Sequence, residues 1–150
     1  MKGIKQLIRN EMDVEFFGSV HGLCQIFMFG FLEWLNHVNN IPYSYIVQMW
    51  IVGYLIAWFQ KGLFLSQKVY RKGVYQICTV LWNVGPVLIM LLAQQVFGWF
   101  AAAPKWEFIT YHVIMLFYFP IMWLCLEVFY KEDTKELNIL LKKYKEESNE

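Results

Sequence analysis

Charge is scarcest in this sequence where a water-soluble chain would need it. No Asp, Glu, Lys or Arg lies between Lys72 and Lys105 or between Glu107 and Glu127, and Glu33 alone interrupts the stretch from Phe16 to Gln60. Uncharged runs of that length exclude an ordinary soluble domain and point to membrane-spanning segments. The three cysteines, Cys24, Cys78 and Cys125, sit inside those runs without CxxC or Cys/His spacing. A disulfide framework or a zinc site is therefore not expected, and the thiols read as small packing residues. HExxH, GxSxG and GxxxxGK[ST] are all absent, as is any close carboxylate pair within the apolar runs. No enzyme, metal or other cofactor is expected. The polar/apolar alternation of a β-barrel is missing too.

What the chain has in excess is apolar and aromatic surface. It is 58% hydrophobic and 19% aromatic over 150 residues, above the roughly 45–50% apolar share of a soluble chain. The expected fold class is all-α, a four-helix transmembrane bundle with spans at about residues 14–35, 42–60, 74–100 and 106–130. Residues 1–130 form the membrane domain and 131–150 an amphipathic C-terminal cytoplasmic helix. Trp34, Tyr43, Tyr45, Trp99 and Trp106 fall near one boundary, and Trp58, Tyr70, Tyr75, Phe129 and Tyr130 near the other, as two interfacial belts. Residues 1–13 pattern as a short interfacial helix leading into the first span, a retained anchor rather than a cleaved signal.

Orientation follows from the cations. Three lie in the N-terminal arm, five in the tail and four in the central loop, where Lys61, Lys68, Arg71 and Lys72 separate two apolar runs; Lys105 alone lies in the other two loops. Both termini are expected in the cytoplasm of a multi-pass protein.

Several residues stand out inside this layout. Gly18 and Gly22 form a GxxxG that lets another helix approach closely, read first as packing within the bundle and second as a homodimer seam. His21 and Gln25 lie one turn apart on the first span and Asn83 lies near mid-depth in the third; such intramembrane polar groups are expected to hydrogen-bond across the bundle. No acidic residue sits at a span centre, which argues against a proton relay. Pro86 and Pro120 are expected to kink their helices. Glu33 with His37 and Glu127 with Lys131 have the spacing of local ion pairs. In the tail, Leu137, Leu140, Leu141 and Tyr144 recur at helical spacing as one apolar stripe among charges, suited to a cytoplasmic protein partner or to the inner leaflet.

The layout, together with the close FYKEDTKELNILLKKYKEE, resembles a family of small bacterial four-span membrane proteins of uncharacterised function, typically encoded beside LytTR-type transcription regulators. The first outer loop, NHVNNIP, is shorter than in many members. The resemblance implies an inner-membrane regulatory protein that holds a cognate cytoplasmic transcription regulator at the bilayer, without binding nucleic acid itself. A small transporter or accessory subunit of an exporter is the alternative, motivated by His21, Gln25, Asn83 and the two prolines.

Overall fold

In the computed structural model the described residues are 2–38, 40–64 and 72–147, and their regular structure is entirely helical. The elements are α1 (Lys2–Leu35), α2 (Tyr43–Phe64), α3 (Lys72–Phe97) and α4 (Lys105–Glu147). Among the described residues, three segments are long and apolar enough to cross a membrane: Glu11–Leu35, Lys72–Phe97 and Lys105–Phe129. Over its 22 residues, α2 is diluted by Gln48, Gln60 and Lys61 and stands outside that group.

Helix ends explain where the expected boundaries move. α1 is one helix from Lys2, with no break between an interfacial piece and a span. It stops because His37 turns left-handed at φ 60°; the His37 N–H then donates to the Trp34 carbonyl and the Val38 N–H to the Glu33 carbonyl, both at 3.0 Å. That is a Schellman closure with histidine in the position glycine usually fills. His37 caps the helix, and no ion pair with Glu33 is found among the described residues. α3 ends at Phe97, short of the expected residue 100, because Gly98 adopts φ 68° and donates to the Gln94 carbonyl at 2.8 Å. The chain then turns through Trp99 and Phe100 into the bundle, where both are buried. Trp99 is thus a core residue and leaves the expected belt; its indole N–H donates to Gln48 Oε1 at 3.0 Å.

The helices pack in chain order. Of the helix pairs that touch, α1 and α2 share the most intimate contact and α1 and α4 the slightest. Glycine is the reason for the first: a Cβ on Gly53 of α2 would run into the backbone of Gly18 and Gly22, and a Cβ on Gly22 would lie 3.0 Å from the Trp50 Cα. Gly18 and Gly22 therefore serve the intramolecular reading of the GxxxG. Between α2 and α3 the fit also relies on a missing side chain, since the Phe59 ring occupies the space a Cβ on Gly85 would take.

The main core gathers toward the end of the bundle that carries the α1–α2 and α3–α4 connections, called here the connection end. Phe29, Leu32, Met49, Met90, Phe100 and Tyr111 belong to it. Phe100 makes edge-to-face contact with Phe29 at 5.2 Å and with Phe108 at 5.9 Å. Around the outside, every helix exposes large apolar side chains, among them Phe27, Trp50, Leu92, Val96 and Phe117. This inside-out distribution suits a hydrocarbon solvent.

Candidate functional site

At the opposite end, which carries the N-terminal half of α1 and the tail, the helices enclose a cavity of about 700 Å³. All four contribute. Val14, Phe17, Ala57, Trp82, Trp123 and Leu126 make its wall largely apolar, with Trp82 and Trp123 in edge-to-face contact at 5.0 Å. Lys61, Glu127, Lys131 and Lys135 add charge, and buried Gln60 adds an amide. Lys61 is held to Asp13 at 2.6 Å. Lys131 meets Glu127 at 2.8 Å, the expected i, i+4 pair. The hydrogen bond and charge of Glu127 hold the Lys131 ammonium above its ordinary pKa.

Gln60 joins this cavity to a polar network that ties the four helices together. Its origin is Pro86, which has no N–H to offer the Trp82 carbonyl one turn earlier. Gln60 Nε2 supplies the missing donor at 3.2 Å. The Gln60 Oε1 is then free to accept from His21 Nε2 at 2.8 Å, which leaves His21 Nδ1 to accept from the Tyr118 hydroxyl at 3.0 Å. One proton assignment satisfies all three bonds, with a neutral imidazole carrying its hydrogen on Nε2. His21 is buried at 1% exposure, and these are the polar partners found for it among the described residues.

The polar trio expected from sequence is only partly assembled. His21 bonds across the bundle. Gln25 is as deeply buried, but among the described residues no partner is found for either amide atom. Asn83 turns back on its own helix, its Nδ2 donating to the Thr79 carbonyl at 2.7 Å, and no partner for Oδ1 is found among the described residues. The actual partners, Gln60 and Tyr118, are polar groups at apolar depth that look from sequence like a span terminus and one aromatic among many. The signal for Gln60 was available in Pro86, whose missing N–H calls for a donor near Trp82.

Of the loop cations expected to set topology, Lys61 is half-buried in its ion pair and Lys72 is exposed at the start of α3; Lys68 and Arg71 lie outside the described residues. At the connection end, Glu107 is buried and its Oε2 accepts from Asn36 Nδ2 at 2.6 Å, joining the α1 end to α4. His112 lies against Phe108 and Phe100 and hydrogen-bonds the Phe108 carbonyl at 2.8 Å.

The tail extends the last helix without interruption. α4 spans 43 residues, about 65 Å at 1.5 Å per residue, against the ~30 Å of a hydrocarbon core. Leu140, Leu141 and Tyr144 are exposed on it, as is Ile139; the Leu137 side chain lies outside the described residues. No family model, curated protein or solved structure matches this chain.

Proposed function

We propose that the chain is a four-span inner-membrane protein with both termini in the cytoplasm, and that its tail holds a cytoplasmic transcription regulator of the LytTR type at the bilayer. The fourth span is α2: its 22 residues reach about 33 Å, and Trp50, Ile51 and Leu55 face outward beside the exposed apolar side chains of its neighbours. The cation distribution supports the orientation. The single observation that carries the regulatory reading is the unbroken α4, which presents Leu140, Leu141 and Tyr144 beyond the end of the apolar segment at Phe129. An apolar helical face presented on the cytoplasmic side suits a groove on a partner protein.

The test is co-purification of the full-length protein with its regulator from detergent. Leu140→Ser with Leu141→Ser is expected to release the regulator while leaving the membrane domain folded; retention of the regulator, or an unchanged regulated promoter after tail deletion, would refute the reading. The transporter alternative has the cavity in its favour and the connection end, with Phe100 and Tyr111 in the core, against it. An export phenotype lost in Asn83→Leu with normal folding yield would favour it.

A further inference from the structure

The cavity has a use of its own. Its apolar wall lies within the bundle, while two of its cations, Lys131 and Lys135, lie just past the apolar part of α4, which ends at Phe129. Two and six residues beyond that point correspond to about 3 and 9 Å along a helix. In a bilayer this is headgroup depth. A ligand matched to the site therefore needs hydrocarbon below and an anionic group above, with the two joined at the membrane surface. Charge selects the sign of the head: three lysines line the cavity against one carboxylate, Glu127. Asp13 occupies Lys61 and Glu127 occupies Lys131, so Lys135 is the cation for which no such pair is found among the described residues. The volume of about 700 Å³ lies within the ~300–1,000 Å³ range of small-molecule sites.

We infer that this cavity binds an anionic phospholipid of the inner leaflet, with acyl chain against Phe17, Trp82, Trp123 and Leu126 and phosphate at Lys135 and Lys131. A phosphate there competes with Glu127 for Lys131, and basic pockets between spans on the cytoplasmic side are a recurrent way of holding such headgroups. The occupied site would lie at the base of the tail helix, since Lys131 and Lys135 belong to α4. The inference rests on the membrane orientation proposed above but not on the identity of any cytoplasmic partner.

The experiment titrates the purified full-length protein in detergent with dioleoyl phosphatidylglycerol, dioleoyl phosphatidylcholine or oleate, and counts bound lipid by native mass spectrometry. Phosphatidylglycerol is expected to bind at one saturable site in preference to phosphatidylcholine, and oleate at equal concentration should not displace it. Lys131→Gln with Lys135→Gln, both at exposed positions, should weaken phosphatidylglycerol binding roughly tenfold or more and erase the preference. Leu126→Trp, which fills the cavity, should weaken binding of both phospholipids. Equal binding of the two phospholipids by the unaltered protein would overturn the inference, as would a preference that survives the double lysine change. Displacement by oleate would assign the cavity to free fatty acids instead. Because no regulator is present, failure here leaves the partner test untouched, and loss of the regulator in the leucine double variant leaves lipid binding untouched.

Discussion

The two ends of this bundle use aromatic residues in opposite ways. At the connection end, Trp99 and Phe100 fold inward from the α3–α4 turn into the core, and Phe100 packs against Phe29, Phe108 and Tyr111, beside a smaller pocket of about 240 Å³ lined by Gln94, Gln95, Lys105 and Phe108. At the other end, Phe17, Trp82 and Trp123 line a cavity of about 700 Å³. The difference lies in what can reach the axis. A turn can send its aromatic side chains back between helices, as Trp99 and Phe100 do, whereas Phe17, Trp82 and Trp123 sit on helices and line the cavity. His21, Gln60 and Tyr118 sit at the boundary, with Gln60 lining the cavity and His21 tilted against Phe119 of the core at 5.5 Å.

The contrast can be broken most severely at the seam both ends share. Gly53→Val would push a branched side chain into the backbone of Gly18 and Gly22, which cannot yield as a side chain can. The expected loss is about 3 kcal/mol or more, read as failure to recover folded protein from detergent or a large drop in thermal unfolding midpoint. Next is Phe100→Ala at the connection end. Four ring contacts disappear, and a loss of about 3 kcal/mol is expected in the same assay. His21→Ala, at the boundary, strands the Gln60 Oε1 and the Tyr118 hydroxyl, with an expected cost of about 2 kcal/mol; His21→Gln, able to keep one of the bonds, should lose less. Leu126→Ala, at the cavity end, should cost less than about 1 kcal/mol because its side chain already borders the cavity. If Leu126→Ala proved as damaging as Phe100→Ala, the two ends would not differ as described.

Periodicity and charge made the helices legible, because an uncharged run of about 20 residues has few other uses. The glycine seam was legible as a close approach but not in its partner, Gly53, since nothing in GxxxG names the opposing helix. Boundaries shifted where single residues cap: His37 in a left-handed conformation and Gly98 at φ 68° are local backbone events with no periodic trace. Of the candidate site, His21 was legible, and Pro86 signalled a donor near Trp82, but the pairing of His21 with Gln60 and Tyr118 was not legible, because they come from α2 and α4, 39 and 97 residues away. The cavity itself left no mark on the sequence. Its wall is drawn from all four helices, and a pattern read along one helix cannot register how the others are placed around it.

In the orientation proposed above, the two ends face opposite sides of a bilayer, with the cavity end toward the cytoplasm. Single cysteines at Asn40, exposed at the connection end, and at Glu132, exposed just past the apolar part of α4, in a background lacking Cys24, Cys78 and Cys125, test it most directly. In intact cells an impermeant maleimide should label Asn40→Cys and spare Glu132→Cys until the membrane is opened. Labelling of Glu132→Cys with protection of Asn40→Cys would invert the orientation and place both the cavity mouth and the tail outside the cell, and equal labelling at the two positions would contradict the claim that the ends lie on opposite sides.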